Sequence, residues 1–480
     1  MIQEGEVITP RTKLVATLGP ATNRLEMIVR LIETGVDVFR LNMAHGDISG
    51  HGQVVQQVRE ASRTVGRPVG ILVDLAGPKI RLGYLRTDPL ELQFNEQVEF
   101  VRGDETNSDH ELTCNLPTLL DELRPGHEIV LGDGSARLEV VSMELDRALC
   151  RVTDGGAIRS RQGISLPSTT LSIPALGETD RQHAQWAARA GVDFISLSFV
   201  RNAQEVQQLR EILNAEGTTA HIVAKIEKRE ALSFLEQIVE AADAVMVARG
   251  DLGLEIPIEK TPLAQKRIIR TCRQFGKPVI VATQMLESMH HNKLPTRAEV
   301  SDVANAILDG ADACMLSGET AVGQFPLDAV RMMKKIMGET ENFLAYRGSS
   351  RSGHQDDQST WPVMEAIMFS AAHIARRIKA KLVVIASSES RQALVKSKQR
   401  DFIKTVCLTD NVAVSQRMAL YWGIVPIIVE DLHDYQRLPD HVLNWARNTG
   451  GLQAGDRIVM VLDSEATSDL HDSLLVGEIS

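Results

Sequence analysis

Cysteine is scarce and scattered: five residues, at 114, 150, 272, 314 and 407, with no two closer than 36 positions. That spacing excludes a CxxC metal knuckle and offers no disulfide framework, so a reducing cytoplasm is the expected setting. Long hydrophobic runs are missing as well. No stretch of about 18 apolar residues occurs, so no membrane span is expected. The acidic opening MIQEGEVITPRT lacks the apolar core of a signal peptide, and none is expected. Positive charge is in deficit, since 52 Lys and Arg against 63 Asp and Glu leave a net charge of −11. Such a balance argues against DNA, RNA or an anionic membrane as the main partner. What remains is ordinary globular composition, 43% hydrophobic and 24% charged over 480 residues. That length suits about three domains with a large core.

Short apolar, β-branched runs alternate with helical patterns through the first two-thirds of the chain. Eight can be counted, at 14–18, 36–41, 69–75, 192–198, 222–226, 244–248, 279–283 and 313–317. Apolar on consecutive positions, they read as parallel strands buried on both faces. Their approaches repeat. Gly35-Val36-Asp37, Gly191-Val192-Asp193, Ala242-Asp243 and Gly310-Ala311-Asp312 introduce every second run, and Gly66-Arg67-Pro68 and Gly276-Lys277-Pro278 introduce two of the others. Glycine past a helix is a C-cap and proline before a strand stops the helix, so the recurrence describes one repeated unit. A (β/α)₈ TIM barrel follows, with parts at 1–82 and 166–346.

Between the third and fourth runs, residues 83–165 hold VEFVR, HEIVLGDG, RLEVVSM and LCRVT with no convincing helix. This is expected to be an inserted, β-barrel-like lid domain in a βα loop, on the face where barrels keep their chemistry. Residues 347–360 are polar and Gly/Ser-rich, a linker composition. Beyond it, 361–480 read as a C-terminal α/β regulatory domain. Its helix at 363–378 carries Val363, Ile367, Ala371, Ile374 and Ile378 on one face, and strand-like runs follow at 382–386, 403–409, 425–429 and 457–462.

Polar residues gather where the barrel strands end. They are Arg40, Asn42 and His45; Asp74, Lys79 and Arg81; Ser198 and Arg201; Lys225 and Glu227; Arg249, Gly250 and Asp251; Thr283 and Gln284; Ser317 and Glu319. The cations Arg40, Lys79, Arg81, Arg201, Lys225 and Arg249 suit a small, multiply anionic substrate such as a phosphorylated carboxylate. Glu227 and Asp251, on adjacent strands, could share one hard cation in the Mg²⁺ style. Lys225 and Glu227 stand two apart and so share a face, where lysine could stabilise developing negative charge. Taken singly, these signals are weak. Lys-x-Glu is most often a structural ion pair, and Arg-Gly-Asp a tight turn. His290-His291 fit a surface loop better than a metal pair; Met285, Met289 and Met315 fit packing, and Gly132-Asp133-Gly134 a hairpin turn. Their coincidence on one rim lifts the strand-end residues above those readings.

The stretch IVAKIEKRE at 222–230 closely resembles the active-site signature of pyruvate kinases. So do RTKLVATLGPAT (11–22), VFRLNMAHG (38–46), DLAGPKIRLG (74–83), MVARGDLG (246–253), ATQMLESM (282–289) and PTRAEVSDVANAILDGADACMLSGETA (295–321), in order along about residues 11–338. The resemblance, to the bacterial type, implies phosphoryl transfer from phosphoenolpyruvate to ADP, giving pyruvate and ATP. It implies Arg40 on the transferred phosphate, Lys225 at the phosphoryl group and the enolate oxygen, and Glu227 and Asp251 on a protein-bound Mg²⁺. Gly250, Asp251 and Thr283 would form the substrate pocket, with Thr283 also in the proton-relay region. Asn42, His45 and Arg81 would lie on the nucleotide side, where a second Mg²⁺ arrives with ADP. It further implies a cytoplasmic homotetramer with an effector site in the C-terminal domain.

Departures from the family pattern carry their own expectations. Ala44 stands where potassium-dependent relatives have serine, and Lys79 where they have glutamate, so Lys79 is expected to substitute for K⁺, which would not be required. A nucleotide-side lysine corresponds to Gln162, next to Arg161. In the C-terminal domain, Glu389 within Ala386-Ser387-Ser388-Glu389-Ser390-Arg391, and Asp-Ser-Glu-Ala-Thr at 463–467, oppose a sugar bisphosphate. A phosphosugar or nucleotide effector is expected instead. Two rivals stand beside this reading: a Mg²⁺-dependent lyase or aldolase of the phosphoenolpyruvate/pyruvate barrel group, and a catalytically silent metabolite sensor.

Overall fold

The computed structural model describes residues 10–106, 108–169, 172–346, 362–432, 437–449, 452–462 and 473–479. The expected linker at 347–360 and the 463–467 segment lie outside the described residues. Eight parallel strands close into a barrel in sequence order: β1 (Lys13–Thr17), β2 (Val38–Asn42), β3 (Gly70–Asp74), β4 (Phe194–Leu197), β5 (His221–Ile226), β6 (Ala244–Ala248), β7 (Val279–Ala282) and β8 (Ala313–Leu316). All eight expected runs are in it. Alternation sorts the side chains. Leu14, Ala16, Ile71, Val73, Ile222 and Ala224 pack outward among helix residues such as Ile28 and Leu209. The intervening Val15, Val38, Leu72, Phe194 and Val223 join an apolar cluster inside the barrel. Two residues further along each of these five strands stand Thr17, Arg40, Asp74, Ser196 and Lys225. The same inward face is therefore apolar at one end and polar at the other.

The aspartates of the repeated approach motif have a job that composition does not reveal. Asp37, Asp193, Asp243 and Asp312 open β2, β4, β6 and β8, and each accepts a backbone N–H from the start of the strand before it. The donors are Leu14 (2.8 Å), Ile71 (2.7 Å), Ile222 (2.7 Å) and Val279 (2.8 Å). Each buried or half-buried carboxylate also meets a cation: Lys334 at 3.0 Å, Arg59 at 2.9 Å, Arg210 at 2.6 Å, and both Lys398 and Arg400 at 2.8 Å. Four staples thus fix the register between strand pairs at the end away from the rim.

The lid lies between β3 and β4 as a curled six-stranded sheet with a separate two-stranded ribbon (Leu90–Leu92 with Gly156–Ile158) and its own core around Phe100, Leu131 and Leu138. Gly132-Asp133-Gly134 is the hairpin turn between Glu128–Leu131 and Ala136–Met143, and Gly134 comes over Leu254 on the barrel. Among the described residues, one short α-helix, Leu119–Glu122, interrupts the strands.

The C-terminal domain is a five-stranded sheet flanked by helices. Leu382–Ala386, Thr405–Thr409, Ile424–Ile428 and Arg457–Leu462 run parallel, and a strand absent from the sequence expectation, Ser473–Glu478, adds antiparallel at one edge. The helix Pro362–Arg377 buries Met368, Ala371, Ala372 and Ala375. Val363 is exposed, correcting its place on the buried face. This domain docks on the barrel end opposite the rim. Lys398 and Arg400 grip Asp312, Lys13 donates to the Ile424 carbonyl at 2.7 Å, and Met418, Leu420 and Tyr421 join the cluster inside the barrel. Among the described residues, no helix is long and apolar enough to cross a membrane.

Candidate active site

At the polar end of the barrel, Asp74 is the hub. Its carboxylate, 1% exposed, accepts Arg40 Nε at 2.8 Å and a second guanidinium nitrogen of Arg40, as well as Ser196 Oγ at 2.5 Å and Lys225 Nζ at 3.2 Å. Burial opposes its charge, but Lys225 and Arg40 outweigh that and hold Asp74 at about 2, ionised throughout the working range. Arg40 also reaches Thr17 Oγ1 at 3.1 Å.

The Lys225 ammonium, nearly buried, has three oxygens around it: Ser198 Oγ at 2.7 Å, Glu227 Oε1 at 2.8 Å and Asp74 at 3.2 Å. Burial pulls its pKa down, yet Asp74 and then Glu227 carry it well above the usual lysine range. It is a fixed positive charge, unsuited to giving or taking protons near neutrality.

Glu227, beside it, accepts Phe199 N–H at 2.7 Å through Oε2. Its pKa is raised, first by burial and, after the opposing pull of Lys225, by the nearby negative charge of Asp251. Asp251, half-buried at the head of helix Arg249–Glu255, makes no hydrogen bond or ion pair among the described residues and faces the cleft. Two like charges held together, one with free oxygens, form a natural seat for a hard divalent cation, and a pair of protein carboxylates is the Mg²⁺ manner of binding.

Part of the rim is built from strained backbone. Phe199, Thr283 and Gln284 have φ of 56°, 66° and 53°, left-handed values unusual for such residues. Thr283 Oγ1 accepts Gly250 N–H at 2.8 Å and donates to the Ala282 carbonyl at 2.7 Å. Gly77, at φ 68°, lies against Phe199; a Cβ there would come within 2.6 Å of the ring, so only glycine lets β3 and β4 loops approach this closely.

The remaining expected site residues lie further out. Asn42 Oδ1 accepts Ala44 N–H at 3.1 Å, and His45 is exposed. Arg81 pairs through its backbone with lid residue Gly163 and donates to the Arg161 carbonyl at 3.0 Å. Lys79 is exposed, its stem beside Gly163, and its ammonium has no hydrogen bond or ion pair among the described residues, neither to Asp74 nor to a lid carboxylate. Lys79, Asp133, Gly163, Phe199, Arg201 and Asp251 line one cleft between lid and rim. Gln162 Oε1 accepts Arg159 N–H at 2.8 Å, while the Arg161 guanidinium sits over the Tyr84 ring at 5.6 Å.

Three rim expectations need correction. Arg201 pairs with Glu205 at 2.5 Å, and Arg249 pairs with Asp302 at 2.5 Å and with backbone carbonyls, so neither guanidinium is a free anion ligand. Glu319 is a buried staple that accepts Leu286 N–H at 3.0 Å and Ser317 N–H at 2.7 Å. His290 is not a free surface side chain either. It covers Gly318, and with Glu287 and Glu319 it forms a group whose ligand atoms lie within 4.8 Å of one another; His291 is exposed. Met285, Met289 and Met315 are packing residues, 0–2% exposed. Sequence reading missed Thr17, Ser196 and Phe199. Counting in twos from Val15 and Phe194 would have found the first two; nothing in the sequence signals the left-handed Phe199.

Known proteins resemble this chain over most of its length. The family profile "Pyruvate kinase, barrel domain" matches residues 9–330, and "Pyruvate kinase, alpha/beta domain" matches 365–474. Pyruvate kinase of Corynebacterium glutamicum is 43% identical over 439 residues, 90% of each chain. That of Geobacillus stearothermophilus is 38% identical over 453 residues, 94% of this chain and 77% of the relative. A solved structure of a pyruvate kinase from Cryptosporidium parvum superposes with a TM-score of 0.88 at 32% identity, covering 98% of this chain and 96% of the other.

Proposed function

The chain belongs to the pyruvate kinase family and is a phosphotransferase, and on that premise we propose the following division of labour among its residues. The reaction moves the phosphoryl group of phosphoenolpyruvate to ADP and leaves pyruvate and ATP. The observation that carries the proposal is the buried Lys225 ammonium, fixed between Asp74, Glu227 and Ser198 at the rim and flanked by Arg40. A loose phosphoryl transition state needs little covalent help, so positioning and neutralisation do most of the work. Arg40, braced by Asp74 and Thr17, binds the phosphate being transferred. Lys225 sits where the phosphoryl group leaves and the enolate oxygen becomes negative. Gly250, Asp251 and Thr283 form part of the substrate pocket. The Thr283 hydroxyl orients the water that protonates the enolpyruvate carbon, since a threonine hydroxyl is itself a poor acid. Asn42, His45 and Arg81 face the nucleotide, beneath the lid.

Glu227 and Asp251 hold one Mg²⁺, and a second enters with ADP. When bound, the metal supplies positive charge to the phosphoryl oxygens. The mutual repulsion of the two carboxylates supports this placement. Lys79 replaces K⁺: its unpaired ammonium lies at the cleft wall, Ala44 offers no oxygen to a potassium ion, and the stem is long enough to reach the phosphoryl-acceptor end. The assembly is a cytoplasmic homotetramer. Five free thiols support the compartment, and the exposed edge strand Ser473–Glu478, with Leu475 and Val476 outward, offers one subunit contact. A phosphosugar or nucleotide is the effector of the C-terminal domain, where Glu389, ion-paired to Arg391 at 3.3 Å, disfavours a bisphosphate.

Phosphorus NMR of phosphoenolpyruvate consumption tests the reading. ADP-dependent formation of ATP supports it; phosphoenolpyruvate consumption that needs an aldehyde and not ADP, with inorganic phosphate released and a carbon–carbon adduct formed, would transfer the site to the lyase group, and no turnover would favour the silent sensor. Run without K⁺ or NH₄⁺, then with KCl added at constant ionic strength, the assay also tests Lys79. Activation should stay below about tenfold, which corresponds to roughly 1.4 kcal/mol of barrier.

A further inference from the structure

Arg249 stands at the end of β6 among the cations expected to meet an anionic substrate, yet its guanidinium is turned onto the protein's own backbone. Nη2 donates to the carbonyls of Thr283 at 2.8 Å and Gln284 at 3.2 Å and touches Met285 Sδ at 2.9 Å. Nη1 pairs with Asp302 Oδ2 at 2.5 Å, and the side chain is only 10% exposed. What it holds is the most strained stretch of the rim. Thr283 and Gln284 are consecutive left-handed residues, and the first is β-branched, a conformation that persists only where neighbours enforce it. The next residue after Arg249 grips the same turn from the other side, since Gly250 N–H donates to Thr283 Oγ1 at 2.8 Å. Guanidinium on the carbonyls and amide on the hydroxyl together fix where the Thr283 oxygen points.

We propose that Arg249 is a positioning residue for Thr283: it holds the Thr283–Gln284 turn in its left-handed form so that the hydroxyl faces the substrate pocket. The proposal rests on the role given to Thr283 above. It accounts for an arginine at the rim whose two terminal nitrogens are turned onto protein groups, and for two strained residues side by side with no glycine to ease them.

A double-mutant cycle tests it, using the full-length enzyme with phosphoenolpyruvate and ADP. Arg249→Met should lower kcat about a hundredfold, the scale of a misplaced reacting group, with the phosphoenolpyruvate KM within about threefold of wild type. In a Thr283→Ala background, the same change should lower kcat by less than about threefold, because the group it positions is already gone. Arg249→Lys, which can still donate to one carbonyl, should fall between wild type and Arg249→Met, and it carries the cycle if the methionine variant does not fold. The outcomes separate. An inactive wild type defeats the proposed function; a Thr283→Ala enzyme with normal kcat defeats the role of Thr283 and this inference with it. Multiplicative effects of Arg249 and Thr283 substitutions overturn this inference alone. So does non-additivity with Asp251→Asn in place of Thr283→Ala, which would move the effect to the metal site.

Discussion

At the scale of single residues, the rim works by holding opposite charges closer than water would allow. Asp74 neutralises part of both Arg40 and Lys225, and that is what lets two cations sit together, nearly buried, without a bound anion. Glu227 and Asp251 make the converse case, two anions together, of which only Glu227 has an ion-pair partner, Lys225, among the described residues; on the proposed reading a metal ion completes the balance. Glu227→Gln or Asp251→Asn should therefore raise the Mg²⁺ concentration for half-maximal activity steeply, because each removes an anionic oxygen from a site with few protein ligands. Mg²⁺ titrations that superpose on wild type for both variants would place the metal elsewhere. The residue types at the rim were readable from the sequence because strand period two puts Lys225 and Glu227 on one face. Their orientation was not. Arg201 and Arg249 carry the same charge as Arg40, but they turn to Glu205 one helical turn on and to Asp302 in a separate helix, whereas Arg40 is held by Asp74 beside Lys225.

Elements were more legible than side-chain roles. The eight barrel strands are buried on both faces and so announce themselves as unbroken apolar runs, whereas Ser473–Glu478 is an edge strand with Leu475 and Val476 about half exposed. Nothing in SLLVGE alone distinguishes such a strand from loop. The helix Pro362–Arg377 shows another limit, since Met364 and Met368 take the buried face that an aliphatic count assigns to Val363. The repeated Gly-x-Asp was correctly read as punctuation, with Gly35, Gly191 and Gly310 all at positive φ, but the work of the aspartate depends on the neighbouring strand. That work is measurable. Asp312→Asn keeps an acceptor for Val279 N–H but strands Lys398 and Arg400, and should cost about 3–5 kcal/mol in urea unfolding, as broken buried pairs do. Asp243→Asn, whose partner Arg210 is a quarter exposed, should cost only about 1 kcal/mol. The reverse order would show that the staples are not what ties the C-terminal domain to the barrel.

For the whole molecule, the site is one end of a continuous column. The apolar layers of the barrel run from beneath Lys225 into Met418, Leu420 and Tyr421 of the C-terminal domain, so that domain and the polar rim share one core. Acid should attack that junction. His221, at the base of β5, has its pKa pushed down to about 4, by burial above all; Asp243 opposes the shift, and Arg417, Arg210 and Lys277 add to it. A depressed histidine is neutral when folded. Its stabilising contribution is whole above about pH 6.5 and is lost as pH falls towards 4, a drop of about 3 kcal/mol at most. Calorimetry between pH 7 and 4.5 should show this slope reduced in His221→Gln, and parallel curves would assign the acid sensitivity elsewhere. At the other end of the column, the proposed mechanism depends on the Lys225 charge being present where the enolate forms. The most direct test is the turnover of Lys225→Met alongside its phosphoenolpyruvate affinity, measured by equilibrium binding. A fall in kcat of about 10²–10³ or more with binding largely kept is predicted, because the interaction matters most in the transition state. A variant that retains more than about a tenth of wild-type turnover would contradict the account.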